Sequence, residues 1–351
     1  VLMILHKNSK LSNREISSKL GIAKETVASK INYFLKEEII KDFSLGVNYS
    51  YFGFKEANVF FRLKTFKKSN LDDLVKYLSN HYQTTWIGKC FGKYDLKVSI
   101  LLNEFSNINE FISQVTLEFG DILDAIDYIF VVDKYKASAD IFIKNLFGLE
   151  NLNLFNEKFD NDDKRYNLNK VKNNVNKLKN SLNDIDSINK NDLKKIKKID
   201  LIDRKIIYEL GQNPRIPYVE LSNKLHENPR NIINRIKKLE KDEIILKRSI
   251  VFNGAKFGKV WCELLLTLNP AGINKFKIFL RKYEFLSTYV ECVGKWNFWV
   301  KFFTNDLNEL YSKLNMIREE FAEDIITFDF LIFFEIYKYP KIPKIILMEN
   351  Q

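Results

Sequence analysis

The stretch ELSNKLHENPRNIINRI (220–236) has a counterpart in EISSKLGIAKETVASKI (15–31), which lies 205 positions earlier in the chain. A second correspondence, at an offset of 202, places GKYD (92–95) on GKWN (294–297). Both correspondences keep the same order along the chain. We therefore interpret the sequence as a tandem duplication of a unit of about 145 residues.

The first part of each copy has the apolar spacing of three short helices. In the second copy, Ile202, Ile206 and Leu210 share one helix face. A tight connection follows the second helix, at Gly21 in the first copy and at His226 in the second. Three helices connected in this way predict a helix-turn-helix domain, whose third helix enters the major groove of DNA. We assign these two domains to residues 1–50 and 199–254.

The second part of each copy predicts strands and helices in the order βαββαβ. Alternating apolar positions indicate four strands, and two segments with helical spacing lie between them. A ferredoxin-like plait, in which two helices cover one sheet, satisfies this order. The predicted fold class is therefore α+β, with two copies of a three-helix domain and a βαββαβ ferredoxin-like plait. We assign the plaits to residues 51–148 and 255–345.

A connector rich in Asn and Lys, residues 149–198, joins the two copies. Its composition is typical of a linker, yet apolar residues within it keep a three-four spacing. We interpret this seam as a connecting helix that packs on one of the domains, and a coiled coil between two chains is the alternative. The seam comprises Leu168, Val171, Val175, Leu178, Leu182 and Ile185.

Charge and composition narrow the function classes. The formal net charge of +11 favours a polyanionic partner, nucleic acid first, although a Lys-rich composition can also follow from AT-rich coding. The three cysteines and three histidines are too scattered for a zinc module, so we predict no metal and no cofactor. The apolar runs are shorter than the roughly 20 residues that a bilayer span requires. We expect a cytoplasmic protein without membrane contact.

The third helix of each helix-turn-helix carries polar residues opposite its apolar positions. Arg pairs bidentately with guanine, Asn pairs with adenine, and Lys contacts phosphate. The alternative is a merely solvated helix face. Because the two helices have diverged, we predict an asymmetric DNA site that the second copy reads more strongly. The candidate DNA-binding residues are Lys24, Glu25, Thr26, Ser29, Lys30, Asn228, Arg230, Asn231, Asn234, Arg235, Lys237 and Lys238.

The segment IDLIDRKIIYELGQNPRIPYVELSNKL (199–225), followed by NRIKKLEKDEII (234–245) and FG (257–258), resembles the Lrp/AsnC family of regulators. The glycine-x-aromatic-Asp/Asn turn of each plait is similar to the ligand-sensing RAM domain of that family. The resemblance implies a winged helix-turn-helix transcriptional regulator that binds double-stranded DNA. It also implies plait domains that pair sheet to sheet, here as an intramolecular pseudo-dimer with higher oligomers as an option, and that bind an amino-acid-like effector near the turn.

Carried over by that resemblance, the candidate effector-binding residues lie in the two turns. Glycine permits close approach of a ligand, Asp95 can accept from an ammonium group, and the ring supplies an apolar wall. The alternative is that a hairpin favours Gly and Asp or Asn in any case, with the aromatic residues packing. Asn297 replaces the acid, which argues against two equivalent amine sites. These candidates are Gly92, Lys93, Tyr94, Asp95, Gly294, Lys295, Trp296 and Asn297.

Two other functions fit parts of the sequence. Siroheme decarboxylases resemble this family and carry an aromatic-Asn-x-Trp segment like residues 296–299, but they rely on a histidine near that turn, where this chain has Glu291, Cys292 and Lys295. The first copy has no counterpart of residues 199–205, which would fit a sensor or assembly protein that has lost DNA binding. Since no catalytic motif is found, we predict no catalytic residues and no enzyme.

Overall fold

The computed structural model describes residues 1–64, 67–136, 199–283 and 286–348. The predicted connector and its apolar seam lie outside the described residues. Each copy contains three helices followed by a βαββαβ segment. The α+β fold class predicted from the sequence is therefore confirmed.

In the first copy, three helices and a strand precede the plait. The helix α2 begins at a capping box, in which the hydroxyl of Ser12 accepts from the backbone N–H of Glu15 and the Glu15 carboxylate accepts from that of Ser12. The elements are α1 (Leu2–Lys7), α2 (Asn13–Leu20), α3 (Lys24–Lys36), β1 (Ile40–Val47), β2 (Lys55–Leu63), α4 (Lys68–Asn80), β3 (Thr84–Gly92), β4 (Leu96–Leu102), α5 (Asn107–Phe119) and β5 (Leu123–Lys136).

The second copy repeats this order with a longer first helix. That helix has 12 residues against six in α1, and the side chain of Asp200 caps it by accepting from the N–H of Asp203. The elements are α6 (Leu201–Gln212), α7 (Tyr218–Leu225), α8 (Pro229–Lys241), β6 (Ile245–Phe252), β7 (Val260–Leu268), α9 (Pro270–Lys282), β8 (Leu286–Gly294), β9 (Phe298–Thr304), α10 (Leu307–Glu320) and β10 (Ile325–Lys338).

The strands of the two plaits form one closed barrel in the order β10-β3-β4-β2-β5-β8-β9-β7. The first copy's β5 pairs with β2 and then with β8 of the second copy. In the same way, β10 pairs with β7 and with β3 of the first copy. Both strands are 14 residues long, so each reaches beyond its own sheet into the other. The two sheets are thereby joined at both edges, and the closed barrel has no open edge strand.

Each barrel strand alternates between two environments because successive side chains point to opposite faces. Ala57, Val59 and Phe61 of β2 pack against the helices of their own copy. Phe60, between them, lies in the barrel interior with the second copy's Trp296. A matching outer core packs α9 and α10 against the second sheet. The interior of the barrel is therefore an interface between the two copies.

The helix-turn-helix domains also share their cores between copies. The strands β1 and β6 pair as an antiparallel two-stranded sheet. Ile250 of β6 packs with Leu5 and Ile16 of the first domain. Phe52 and Leu101 of the first copy pack into the core that α6, α7 and α8 build. Each helix-turn-helix domain is thus completed by residues of the other copy.

The end of the described chain packs on the second helix-turn-helix domain. A short 3-10 helix, Lys344–Leu347, lies against α6, and Nη1 of Arg204 donates to the carbonyl oxygen of Ile346 at 3.0 Å. A Cβ atom at Gly211 would lie 2.0 Å from the side chain of Ile342, so only glycine permits this approach. The sequence assigned residues up to 345 to the second plait, whereas their last part belongs structurally to the domain before it.

Candidate DNA interface and plait turns

The turn before each recognition helix requires a left-handed backbone. Gly21 has φ +65° and His226 has φ +55°, a region that costs a residue with a Cβ atom roughly 1–2 kcal/mol. The sequence predicted a turn at both positions, and the structure places both there. Pro229 then opens α8 at a position where its missing N–H is tolerated. The two recognition helices therefore follow turns of the same geometry.

The helix α3 presents the residues that the sequence selected in the first copy. Val27 and Ile31 are buried on one side. Tyr33, which the sequence analysis did not select, is 56% exposed and lies one helix turn beyond Ser29 and Lys30. Because residues three and four positions apart share a helix face, this spacing is the sequence signal that could have identified Tyr33. The selected residues, all exposed, are Lys24, Glu25, Thr26, Ser29 and Lys30.

The helix α8 presents most of the residues selected in the second copy. The side chain of Asn228 caps the helix by accepting from the backbone N–H of Arg230 at 2.8 Å. Asn231 donates to the carboxylate of Glu227 at 2.8 Å. Arg230 and Asn234 stand on the outer face of the helix. The exposed members of the selected set are Asn228, Arg230, Asn231, Asn234, Lys237 and Lys238.

For Arg235 the structure differs from the prediction. Its guanidinium Nη1 donates to Asp200 at 2.7 Å and to Asp203 at 2.8 Å, at the start of α6. The side chain is 25% exposed. The hydrogen bonds that Arg235 donates to these carboxylates, to Asp203 first, raise its pKa. Arg235 therefore ties α8 to α6 in this structure, and a DNA contact of Arg235 stays a prediction.

Polar contacts that the sequence does not reveal join the two helix-turn-helix domains. Nζ of Lys10 lies 3.1 Å from the carboxylate of Glu240. Arg215, at the position equivalent to Lys10, donates to the carbonyl oxygen of Ser9 at 3.1 Å and to Asn13 at 3.3 Å. These contacts join residues more than 200 positions apart, which no local pattern reveals. They join the first helix-turn-helix domain to the second.

The lysines of the plait turns bind acids of the opposite copy. Lys93 donates to Asp329 of β10 at 2.8 Å, and Lys295 donates to Asp127 of β5 at 2.7 Å. Burial opposes ionisation of Asp127, but its hydrogen bonds from Lys295 and Tyr94 prevail and lower its pKa. The two ion pairs occupy equivalent positions in the two copies. They join the copies at both ends of an approximate twofold arrangement.

The aromatic residues of the turns lie inside the barrel. Tyr94 and Trp296 are both buried, with ring centroids 5.9 Å apart in an edge-to-face contact. Nε1 of Trp296 donates to Asp329 at 3.0 Å, and the hydroxyl of Tyr94 donates to Asp127. The family resemblance predicted that these rings form the apolar wall of a ligand pocket. The structure instead packs them between the copies, because the turn directs them inward.

The remaining turn residues bind backbone. Asp95 accepts from the N–H of Leu63 at 2.8 Å, and Asn297 both accepts from and donates to the backbone of Leu268. Each glycine has a positive φ, and a Cβ atom would lie 2.4 Å from a carbonyl oxygen at Gly92 and 2.7 Å at Gly294. These contacts favour the structural interpretation of the turn. An effector-binding role for its residues stays a prediction.

Metal and thiol chemistry find no support in the described ranges. Within them, no group of three His, Cys, Asp or Glu residues could hold a metal ion. The three cysteines are buried and unbridged, and burial raises the pKa of Cys292 to about 12. None of the described helices is long and apolar enough to cross a membrane.

Comparisons with known proteins find similarity to transcriptional regulators. The model of the AsnC-type helix-turn-helix domain matches residues 199–240. The HTH-type transcriptional regulator FL11 of Pyrococcus furiosus is 31% identical over 119 residues, which are 33% of this chain and 75% of that protein. The regulatory protein AsnC of Haemophilus influenzae is 28% identical over 120 residues, 33% of this chain and 79% of that protein.

A solved structure shares the fold of nearly the whole chain. The crystal structure of the siroheme decarboxylase NirDL matches with a TM-score of 0.57 and 10% identity, over 97% of this chain and 92% of that one. At this identity the likeness concerns the fold alone. The DNA-binding domain model and the named regulators, in contrast, match by sequence. The chain therefore belongs to the Lrp/AsnC family of transcriptional regulators.

Proposed function

We propose that this chain is a sequence-specific DNA-binding regulator in which α8 carries most of the base readout. The observation that carries the proposal is the exposed face of α8, on which Arg230 and Asn234 stand behind a helix-turn-helix turn. Arginine and asparagine are the side chains that pair bidentately with guanine and adenine in the major groove. Lys237 and Lys238 on the same helix supply contacts to phosphate.

The other recognition helix supports a second, weaker half-site. At the position equivalent to Arg230, α3 carries Glu25, whose carboxylate repels phosphate and accepts from cytosine at best. Thr26 and Ser29 replace two asparagines. Lys24 and Lys30 remain for phosphate contacts. The DNA site is therefore asymmetric, with one half-site read mainly by bases and the other held mainly through its backbone.

The two plaits act as an intramolecular pseudo-dimer that holds these helices together. The closed barrel and the paired strands β1 and β6 support this part of the proposal. A symmetric dimer of single-copy chains presents two identical recognition helices. Here one chain presents two unlike helices in one fixed arrangement, so a single chain suffices for one complete site.

An amino-acid-like effector, in this proposal, acts through the turns. A ligand carboxylate at Lys93 or Lys295 would compete with Asp329 or Asp127 for the ammonium group. Its binding would therefore loosen one of the two ion pairs that join the copies. A ligand ammonium at Asp95 would have to displace the N–H of Leu63. We expect effector binding to change the unfolding temperature, and a thermal-shift screen of amino acids at millimolar concentration tests it.

The central test is the loss of affinity in Arg230→Ala. Duplexes selected from a random pool by the wild-type chain serve as ligands, and fluorescence anisotropy measures their dissociation constants. A bidentate contact to guanine is worth about 1–3 kcal/mol, so we expect a loss of roughly 5- to 150-fold on the selected site. The loss on a random duplex should be only a few-fold.

A matched control removes one positive charge elsewhere. Lys76→Ala, on the exposed face of α4, should leave both affinities within about twofold. If Arg230→Ala and Lys76→Ala weaken binding equally, α8 does not read bases. Footprinting of the selected site is the second measurement, and a perfect palindrome would contradict the asymmetric readout.

The decarboxylase alternative is supported by the shared fold, but no histidine lies near the turn in the sequence, where those enzymes rely on one. All three histidines of the chain are described, and they lie away from the turn. His6 contacts Ser249 of β6, His81 contacts Gln114 of α5, and His226 forms the turn before α8. A protein that has lost DNA binding is distinguished from a regulator by measuring duplex affinity at several salt concentrations. Phosphate contacts make the affinity fall steeply as salt rises.

A further inference from the structure

A buried ion pair crosses the interior of the barrel. Nζ of Lys97, on β4 of the first copy, lies 2.6 Å from the carboxylate of Glu263, on β7 of the second copy. Both side chains are only 1% exposed. An ion pair this deep depends on each partner, because removing one leaves an uncompensated charge out of water. Any arrangement of the barrel that separates these two residues is therefore strongly destabilised.

The two closest partners of Lys97 come from the second copy, whereas the rings of Phe60 and Trp86 in its own copy lie farther away, at 5.8 and 5.7 Å. Besides Glu263, the ring of Trp299 lies with its centroid 3.4 Å from the Lys97 ammonium, a cation-π contact. Burial lowers the pKa of Lys97, and the neighbouring carboxylate opposes that shift. The two closest contacts of the charge, Glu263 and Trp299, are therefore supplied by the second plait.

The first plait does not carry the same pair of residues at the equivalent positions. The offset of 205 places Asn58 on Glu263, and the offset of 202 places Lys97 on Trp299. The strand registers agree, because Asn58 pairs with Ser99 and Glu263 pairs with Lys301, which are themselves 202 positions apart. Each copy thus holds one half of the ion pair and a neutral residue in place of the other half.

We propose that the Lys97–Glu263 pair makes each plait choose a plait of the other kind as its partner. Two first plaits paired with each other would place each Lys97 against a neutral Asn58. Two second plaits would place each Glu263 against a Trp299. Two first plaits therefore bury two lysines without a carboxylate, and two second plaits leave each Glu263 with only its cross-strand neighbour Lys301. The mixed arrangement keeps the Lys97–Glu263 contact. The barrel interior is therefore a partner-selecting surface, and it rejects plaits of its own kind.

The outer ion pairs cannot make this distinction. Lys93 and Lys295 are equivalent, and so are their partners Asp329 and Asp127. Any two plaits, alike or unlike, would therefore form both pairs. Selection rests on the interior pair, and the turn pairs strengthen every arrangement equally. This difference provides a matched control within the same barrel.

This inference rests on the intramolecular pairing of the proposed function but not on DNA binding, so the two can fail separately. The test uses the full chain with a protease site inserted in the connector, between residues 149 and 198. The folded chain is cleaved, exchanged in mild denaturant, returned to buffer, and examined by native mass spectrometry. The wild type should give only complexes of one first half with one second half.

Two variants test the cause. In Lys97→Met with Glu263→Leu, the charge is gone, and complexes of like halves should appear, up to roughly half of all pairs if no preference remains. In Asn58→Glu, two first halves can form the Lys97–carboxylate pair with each other, so complexes of two first halves should appear. This gain is not expected of a residue that only contributes stability.

The control is Asp127→Asn with Asp329→Asn. It should weaken all complexes and still give only mixed ones. Like complexes in the wild type would overturn the proposal. Exclusively mixed complexes in both interior variants would also overturn it, and would assign the choice to the DNA-binding domains, whose contacts at Lys10 and Arg215 are retained in every variant.

Discussion

The two recognition helices occupy equivalent places but differ at their exposed positions. The helix α3 has three basic residues and one acidic residue, whereas α8 has five and one. Glu25 stands where α8 has Arg230. In contrast, the buried Val27 and Ile31 correspond to Ile232 and Ile236, which are buried as well. The two copies keep their buried apolar positions alike, while the exposed face of this helix differs between them.

The plaits show the same contrast inside the molecule. Their turns keep glycine, lysine and an aromatic residue in both copies, and the turns make equivalent contacts. The inward positions of the strands differ, with Asn58 against Glu263 and Lys97 against Trp299. Positions that any pair of copies needs are retained. Positions that distinguish one copy from the other lie in the barrel interior and on the recognition helices.

The largest effect is expected where the copies differ in the barrel. Glu263→Ala leaves Lys97 buried without its carboxylate, and we expect the free energy of unfolding to fall by about 3–5 kcal/mol. Asn58→Ala, at the equivalent position, removes only a bond from the hydroxyl of Ser99 and should cost about 1 kcal/mol. Urea denaturation of both variants measures the difference. Equal losses would contradict the asymmetry of the interior.

Local patterns in the sequence account for the elements of the fold. The apolar spacing predicted the three helices and the βαββαβ order, and the resemblance added the family. The turn at Gly21 and His226 was visible because it follows a short helix and precedes a second apolar period. Such signals lie within about 15 residues of each other, so a sequence shows them directly.

Contacts between the copies could not be predicted in the same way. Lys97 and Glu263 are 166 positions apart, and their meeting depends on which strand edges join. Arg235 is of a residue type that contacts DNA, yet in the structure it donates to Asp200 and Asp203 at the start of α6. The rings of Tyr94 and Trp296 suggested a pocket wall, but the direction of a side chain after a glycine turn is set by the sheet register.

A gain of DNA affinity is the next expected effect, and it would narrow the difference between the helices. Glu25→Arg gives α3 the residue that α8 carries at Arg230. On a palindrome built from the half-site that α8 reads, we expect affinity to rise about tenfold, because one bidentate pair is worth about 1–3 kcal/mol. Glu25→Gln, which removes only the negative charge, should gain less. Equal gains would show that charge alone separates the two helices.

The smallest effects distinguish Lys30 from its equivalent, Arg235. Lys30 is exposed on α3, so Lys30→Ala should reduce the slope of log affinity against log salt by about 1 through the loss of one phosphate contact. Arg235 is tied to Asp200 and Asp203. Arg235→Ala should therefore leave the salt slope unchanged and lower the free energy of unfolding by about 1 kcal/mol. Anisotropy titrations at several salt concentrations and urea denaturation provide both readouts. A reduced salt slope in Arg235→Ala, with stability unchanged, would return Arg235 to the DNA interface that its sequence position predicts.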